Sequence, residues 1–216
     1  MKKIVILISG RGSNLQALLS AQLPCSIAAV ISNRAEAEGL EIAAQHGIET
    51  RVVPHRDYAD RAAFDTALAQ VIDEFQPDLL ILAGFMRILT AEFVNHYYGR
   101  LINIHPSLLP AYTGMNTHER ALQDGVKIHG CTVHFVTPDL DHGPIIIQAA
   151  VPVLDHDTVQ TLAERVLKQE HIIYAQAISR LCTNQVTLNT QGKVISNQTE
   201  LANTVLIAPK MESNHE

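Results

Sequence analysis

The sequence lacks the features that mark secreted, membrane and nucleic-acid-binding proteins. It has only three cysteines, far apart and in no paired motif, so reduced thiols are expected. No apolar run approaches the length of a membrane span, and the run at residues 4–8 is too short for a secretory signal. Lysine and arginine number 16 against 22 acidic residues, a net charge of −6, and no basic cluster stands out. These absences predict a cytoplasmic protein that binds neither a membrane nor a nucleic acid.

Metal-ligand spacings are also missing, although the chain carries eleven histidines. His129 and His134 lie five apart on a predicted strand, and therefore on opposite faces. The histidines near predicted helices have no second histidine four residues away, and no zinc motif appears. Most histidines are therefore predicted to be surface or packing residues, and no metal site is expected.

Short apolar runs alternate with helical patterns, which is typical of an α/β protein. We predict a mainly parallel, Rossmann-like sheet with helices on both faces, then long strands and a final long helix in the C-terminal half. Strands are predicted at residues 3–8, 27–31, 49–53, 79–83, 101–105, 128–136 and 145–153. Helices are predicted at residues 15–21, 35–46, 60–75, 90–97, 117–123 and 158–180.

The 216 residues are enough for one large core shared by two halves. Residues 1–100 form the predicted Rossmann-like half, and residues 101–183 the half with the long strands. Residues 184–216 are predicted to be a small strand region with a flexible C-terminal tail.

A glycine-rich loop at residues 9–15 joins the first strand to the first helix. Its glycines permit a tight turn, and the helix start offers free N–H groups to an anion. The dinucleotide fingerprint is not met, because its third glycine falls at Leu15. The second strand also ends without an acid that would hold a ribose diol. The loop therefore indicates a single phosphate more than NAD, and a tight turn without a ligand is the alternative.

Asn103 and His105 lie two apart on a predicted strand, so their side chains project to the same side. They stand at the carboxyl end of that strand, where open α/β sheets place their sites. An amide donor beside an imidazole suits acyl-type transfer, because one stabilises an oxyanion while the other moves a proton. The alternative is a histidine that only caps the strand end.

A turn at residues 139–144 carries Asp141 between the two long strands. Taken alone, a turn rich in Asp and Gly indicates only a turn. If Asp141 reaches His105, its negative charge favours the imidazolium, which makes His105 a usable acid near neutral pH.

Several segments, read together, closely resemble the phosphoribosylglycinamide formyltransferases, a family of folate-dependent formyl transferases. The strongest matches are residues 8–16, 82–89 and 103–110, extended by residues 117–118, 134–137, 140–144 and 169–171. The resemblance implies formyl transfer from 10-formyltetrahydrofolate to the amine of N1-(5-phospho-D-ribosyl)glycinamide in purine (IMP) biosynthesis. The implied reaction needs no metal, and the expected assembly is a monomer or homodimer.

The resemblance also implies a role for each matching residue. In the first half and on the last helix, the acceptor ribonucleotide would contact Gly12, Ser13, Asn14, Leu15, Gln16, Leu167, Lys168, Gln169 and Glu170. The folate would contact Arg61, Met86, Arg87, Ile88, Leu89, Asn103, Thr137, Pro138, Asp139, Leu140 and Asp141. Catalysis would fall to Asn103, His105 and Asp141 in the second half. For residues 86–89, periodicity alone favours ordinary core.

Three alternatives remain beside this one. Methionyl-tRNA formyltransferases share the Asn-x-His feature but carry an additional basic domain for RNA. Formyltetrahydrofolate deformylases carry a regulatory domain before the first strand. This acidic chain begins at that strand, which disfavours both. The third alternative is a non-catalytic nucleotide-binding module that uses the glycine-rich loop alone.

Overall fold

Seven strands form one central sheet in the computed structural model, which describes residues 1–196 and Ala208. In chain order they are β1 (Lys2–Ile8), β2 (Cys25–Ser32), β3 (Thr50–Val52), β4 (Leu79–Leu82), β5 (Leu101–His105), β6 (Ile128–Phe135) and β7 (Ile145–Pro152). Their order across the sheet is β3-β2-β1-β4-β5-β6-β7. Pairs among β1 to β5 are parallel, whereas β6 runs antiparallel to both β5 and β7. The predicted α/β fold with a mainly parallel sheet is confirmed.

Within residues 1–196, six α-helices and one short 3₁₀ helix connect the strands. They are α1 (Ser13–Ser20), α2 (Glu38–Gln45), the 3₁₀ helix (His55–Asp57), α3 (Arg61–Asp73), α4 (Ala91–His96), α5 (Thr117–Gln123) and α6 (Val159–Cys182). Side-chain oxygens of Asp60, Thr90 and Thr158 accept backbone N–H groups at the starts of α3, α4 and α6. None of the helices in this part of the chain is long and apolar enough to cross a membrane.

The chain after α6 forms β8 (Val186–Leu188) and β9 (Val194–Ser196), which pair antiparallel in a separate two-stranded sheet. These strands lie within residues 184–216, where the sequence predicts a small strand region. The predicted flexible tail lies outside the described residues, apart from Ala208.

The central strands β1, β4, β5 and β6 are largely buried, whereas the edge strands β3 and β7 are partly exposed. Alternate residues of β1 enter two separate cores, with Ile4 and Ile6 packed beside α1 and α6, and Val5 beside α3 and α4. The hydroxyl of Tyr174 on α6 donates to the carbonyl of Leu82 at 2.9 Å, which ties that helix to the sheet. The carboxyl ends of the parallel neighbours β1, β4 and β5 therefore lie together at one edge of the sheet, in fixed positions.

Two helices begin two or more residues away from their predicted starts. The first helix begins at Ser13, two residues early, because Gly12 takes the N-cap position with a φ of 79°. The second begins at Glu38 instead of residue 35, because residues 34–37 form a turn closed by a 3.4 Å hydrogen bond from Ala37 N to Arg34 O.

Candidate active site

The loop after β1 forms a cradle of backbone amides at the start of α1. Gly12 is the N-cap residue, and the first helical hydrogen bond runs from Gln16 N to Gly12 O at 2.8 Å. The amides of Ser13, Asn14 and Leu15 precede that bond and are not used by the helix. The partial positive charge at this helix end favours an anion such as a phosphate.

The loop is pressed against α2 by a close glycine–glycine contact. A Cβ placed on Gly12 would lie 2.8 Å from the Cα of Gly39, and Gly39 N donates to Gly10 O at 3.1 Å. The left-handed φ and the neighbouring backbone both exclude a side chain at Gly12. The shape of the cradle therefore depends on that glycine.

Asn14 and Glu170 join this loop to α6. Asn14 Nδ2 donates to Glu170 Oε2 at 2.9 Å, and Glu170 is only 8% exposed. Burial raises the pKa of Glu170, while the amide of Asn14 and the charge of His105 act in the opposite direction. Asn14 Oδ1 is buried and accepts no hydrogen bond from the described residues. The pair therefore offers acceptors beside the cradle, which suits a bound N–H donor.

His105, at the end of β5, is held through both ring nitrogens. Nε2 lies 2.9 Å from the carbonyl oxygen of Tyr112, and Nδ1 lies 3.5 Å from Asp141 Oδ2. A carbonyl only accepts hydrogen bonds, so Nε2 carries a proton and Nδ1 is the nitrogen that can gain or lose one. The side chains of His105 and Asp141 are 8% and 7% exposed, so water screens their attraction little.

Asp141 reaches His105 from the turn between β6 and β7. Its φ of 56° is in the left-handed region, which Asp tolerates better than most residues. Oδ2 also accepts the backbone N–H of Gly114 at 2.8 Å, and Oδ1 lies 4.0 Å from His134 Nε2. The structure thus meets the condition on which the sequence argument for Asp141 depended.

His134 is a fourth polar side chain in this group, directly opposite Asn103 in the antiparallel β5–β6 register. Its Nδ1 donates to the carbonyl of Phe135 at 2.8 Å, so Nε2 keeps a lone pair and accepts from Asn103 Nδ2 at 3.4 Å. Burial lowers the pKa of His134, against the opposing effects of the Phe135 carbonyl and Asp141, and so favours a neutral ring. His134 therefore fixes the direction in which the Asn103 amide faces.

His118 and His129 form a second histidine pair near His105. Nδ1 of His118 lies 3.1 Å from Nε2 of His129. Burial lowers the pKa of both rings, to about 4 for His129. The Tyr112 ring packs edge-on against His129, so this pair supports the loop that follows β5.

Residues 86–89 form an apolar ledge after β4. Met86 and Ile88 are 66% and 57% exposed, so the segment is not the ordinary core that periodicity alone favours. Met86 N donates to Ser9 Oγ at 2.8 Å, and that hydroxyl donates to Asn33 Oδ1 at 2.6 Å. Ser9 therefore ties the ledge to the end of β1, beside the glycine-rich loop.

The two arginines of the predicted folate site both act electrostatically on Asp65 of α3. The Arg87 guanidinium stacks on the Phe64 ring at 4.8 Å, and Arg61 is exposed at the start of α3. Burial raises the pKa of Asp65, whereas its hydrogen bonds and the charges of both arginines lower it. Leu89 packs into the core between the sheet, α3 and α4.

The remaining sequence-predicted site residues lie on the β6–β7 turn and on α6. Thr137 Oγ1 donates to the carbonyl of Asp139 at 3.3 Å. On the same turn, Pro138, Asp139 and Leu140 are exposed. On α6, Lys168 is exposed, whereas Leu167 and Gln169 are half-buried. Exposure leaves the turn accessible to a ligand.

The chain as a whole matches one family of enzymes. A sequence profile described as formyl transferase matches residues 2–178, which is most of the chain. The chain belongs to the formyl transferase family. The resemblance found in the sequence is thereby confirmed.

The relatives of this formyl transferase are similar over nearly its full described length. The phosphoribosylglycinamide formyltransferase of Escherichia coli is 47% identical over 199 residues, which cover 90% of this chain and 94% of that one. The solved structure of phosphoribosylglycinamide formyltransferase from Coxiella burnetii has a TM-score of 0.86 at 49% identity, covering 90% of this chain and 93% of that one.

A larger relative contains this unit as one part. The human trifunctional purine biosynthetic protein adenosine-3 is 50% identical over 196 residues, covering 89% of this formyl transferase. The chain spans about a fifth of that relative, 19% of its length.

Sequence patterns missed three parts of the site in this formyl transferase. Two are side chains, His134 and Ser9, and the third is the pair of backbone groups at residues 112 and 114. A histidine inside the buried strand β6 was a usable signal for His134. Backbone groups have no sequence signature of their own.

Proposed function

We propose that this formyl transferase moves the formyl group of 10-formyltetrahydrofolate onto the amine of N1-(5-phospho-D-ribosyl)glycinamide, in de novo purine (IMP) biosynthesis. The observation that carries the proposal is the approach of His105 Nδ1 to Asp141, at 3.5 Å, next to Asn103. The names of the relatives from Escherichia coli and Coxiella burnetii support the choice of reaction. The three free cysteines agree with a cytoplasmic location.

The acceptor lies across the glycine-rich loop and α6 in this proposal. Its phosphate lies against residues 12–16, where the amides of residues 13–15 are free, and its amine approaches the buried carboxylate of Glu170. Leu167, Lys168 and Gln169 flank it on the same helix. Support comes from the Asn14–Glu170 bond of 2.9 Å, which joins the phosphate cradle to the amine position.

The formyl donor lies against the ledge at residues 86–89 and the turn at residues 137–141. Exposed apolar side chains of Met86, Ile88 and Leu140 offer a surface for its ring system. Arg61 and Arg87 supply positive charge for its carboxylates.

The transfer is direct. The acceptor amine attacks the formyl carbon, and the formyl oxygen becomes an oxyanion that Asn103 and the His105 imidazolium stabilise. The carbon–nitrogen bond to the folate then breaks, and the folate nitrogen receives the proton of His105 Nδ1. The proton that the amine loses restores the imidazolium, and Asp141 stabilises its charge.

The assignment of the moving proton to Nδ1 rests on the geometry of His105. Nε2 is engaged at 2.9 Å by the Tyr112 carbonyl, whereas the 3.5 Å separation of Nδ1 from Asp141 is at the limit of a hydrogen bond. The Nδ1 proton therefore remains available to a reacting atom.

The experiment mixes the purified protein with both substrates and follows folate deformylation by absorbance and the formylated ribonucleotide by mass spectrometry. We expect His105→Asn to abolish transfer while both substrates still bind. His156→Asn, an exposed histidine after β7, is the matched control and keeps full activity. Donor consumption without the acceptor would identify a hydrolase, and binding without turnover a non-catalytic module. Transfer that survives in His105→Asn would overturn the mechanism.

A further inference from the structure

The loop at residues 112–116 is held in an unfavourable backbone conformation. Tyr112, Gly114 and Asn116 all have left-handed φ angles, of 55°, 76° and 56°. This region is unfavourable for a residue with a Cβ, because the Cβ crowds the following carbonyl oxygen. Tyr112 bears that cost in full and Asn116 in part, since asparagine tolerates the region better, so contacts from outside the loop help to hold it.

This loop holds His105 and Asp141, the two ionisable residues of the proposed catalytic set, through its backbone. The carbonyl of Tyr112 accepts from His105 Nε2 at 2.9 Å, and the N–H of Gly114 donates to Asp141 Oδ2 at 2.8 Å. If the loop moves away, the imidazole and the carboxylate each lose a partner, although neither side chain changes.

Two side-chain contacts fasten the loop to α5. At the C-cap of that helix, Asp124 Oδ2 accepts from Tyr112 Oη at 3.0 Å. Arg120 Nη1 donates to the carbonyl of Thr113 at 2.6 Å and lies 3.5 Å from that of Met115. The same guanidinium lies over the Tyr112 ring, 5.5 Å from its centroid. The helix itself is anchored, because Thr117 Oγ1 donates to the carbonyl of Pro106 at 2.7 Å.

We propose that Arg120 is a positioning residue, which holds residues 112–116 over His105 and Asp141 and thereby sets the tautomer of His105. The kinetic consequence rests on the proposed formyl transfer, whereas the tautomer is a property of the protein alone. Arg120 touches neither reacting group, so it acts through the loop.

The tautomer of the neutral ring reports the position of the loop, because His105 has two competing acceptors. With the loop in place, Nε2–H bonds to the Tyr112 carbonyl at 2.9 Å, which is closer than the 3.5 Å between Nδ1 and Asp141. With the loop released, the carboxylate is the acceptor that remains, and the proton moves to Nδ1. The titratable groups that face the ring come from the β6–β7 turn, β6, α5 and α6: Asp141, His129, His134, His118 and Glu170.

The experiment compares ring-nitrogen NMR shifts of histidine-labelled, ligand-free protein, at a pH where the titration shows His105 to be neutral. We expect the Nε2–H tautomer in the wild type and a shift toward Nδ1–H in Arg120→Ala. Arg100→Ala is the matched control, because Arg100 also binds a carbonyl, that of Pro77 at 3.0 Å, and stacks on a tyrosine, Tyr97 at 4.8 Å, outside the site. Arg120→Lys, which keeps the charge but loses the planar stack, should fall between.

The matching kinetic readout is a loss of about tenfold in kcat for Arg120→Ala, with a much smaller change in the KM of the acceptor. Thermal unfolding of all variants checks that each is folded. A wild-type Nδ1–H tautomer, an unchanged tautomer in Arg120→Ala, or an equal shift in Arg100→Ala would overturn the inference. If the tautomer shifts as expected but no variant, nor the wild type, transfers a formyl group, the proposed function fails and the positioning role stands.

Discussion

Replacing Asp141 by asparagine removes a negative charge beside His105 while keeping the size of the side chain. Two unit charges 3.5 Å apart attract by about 5 kcal/mol at an effective dielectric constant near 20. Both side chains are almost fully buried, so screening is slight, but the amide dipole and local rearrangement recover part of the loss. We expect Asp141→Asn to cost the imidazolium about 2 to 4 kcal/mol, which lowers kcat by about 30- to 1000-fold.

The loss concerns turnover, because the missing attraction acts on the charged ring of His105 during the proposed transfer. Initial rates of donor deformylation at saturating substrates measure kcat for the two proteins.

The control is Asp155→Asn, a surface acid paired with Lys127 at 3.2 Å, which should behave as the wild type does. A kcat for Asp141→Asn within about threefold of the wild type would refute the reasoning.

Three further predictions concern the scaffold. Gly12→Ala should lose about 2 kcal/mol of stability and weaken acceptor binding, because its Cβ would lie 2.8 Å from the backbone of α2. Gly47→Ala, with a similar φ of 69° but open space, should lose only about 1 kcal/mol, and thermal unfolding compares the two. Tyr174→Phe should lose about 1 to 2 kcal/mol in urea unfolding, because two buried strand carbonyls lose their shared donor. Hydrogen bonds from Arg165 hold the pKa of Asp157 well below its usual range, so this pair stabilises the wild type fully above about pH 4 and less as pH falls. Asp157→Asn should flatten that acid dependence of the unfolding free energy.

Each of these has a result that contradicts it. Equal losses in the two glycine variants would argue against steric contact with α2. An unchanged urea midpoint in Tyr174→Phe would show that its hydroxyl contributes no net stability. An acid dependence in Asp157→Asn as steep as that of the wild type would assign the dependence to other carboxylates.

Local sequence signals predicted much of the fold. β5 and α5 have the predicted bounds, because Pro106 stops the strand and the helical pattern at residues 117–123 is short and well bounded. α2 was predicted three residues too long at its start, since an Ala- and Glu-rich stretch has helical propensity whether or not a turn interrupts it.

The candidate site was predictable only where local geometry was sufficient. Strand periodicity put Asn103 and His105 on one side of β5. The approach of Asp141 depends on a turn 36 residues further along the chain, and local pattern indicated no more than a turn there. His134 depends on strand register, a property of two paired segments that neither segment encodes alone.

The pairing of His134 with Asn103 has a consequence for how this chain tolerates insertions and deletions. The connection from residue 106 to residue 127 can change length without disturbing the pair, because the ladder between β5 and β6 holds it in place. One extra residue within β6 would instead turn an apolar neighbour toward the amide and send the imidazole into the core on the other face. Changes of length in this connection are therefore compatible with the pair where they leave residues 112–120 in place, whereas a change in the length of β6 is not.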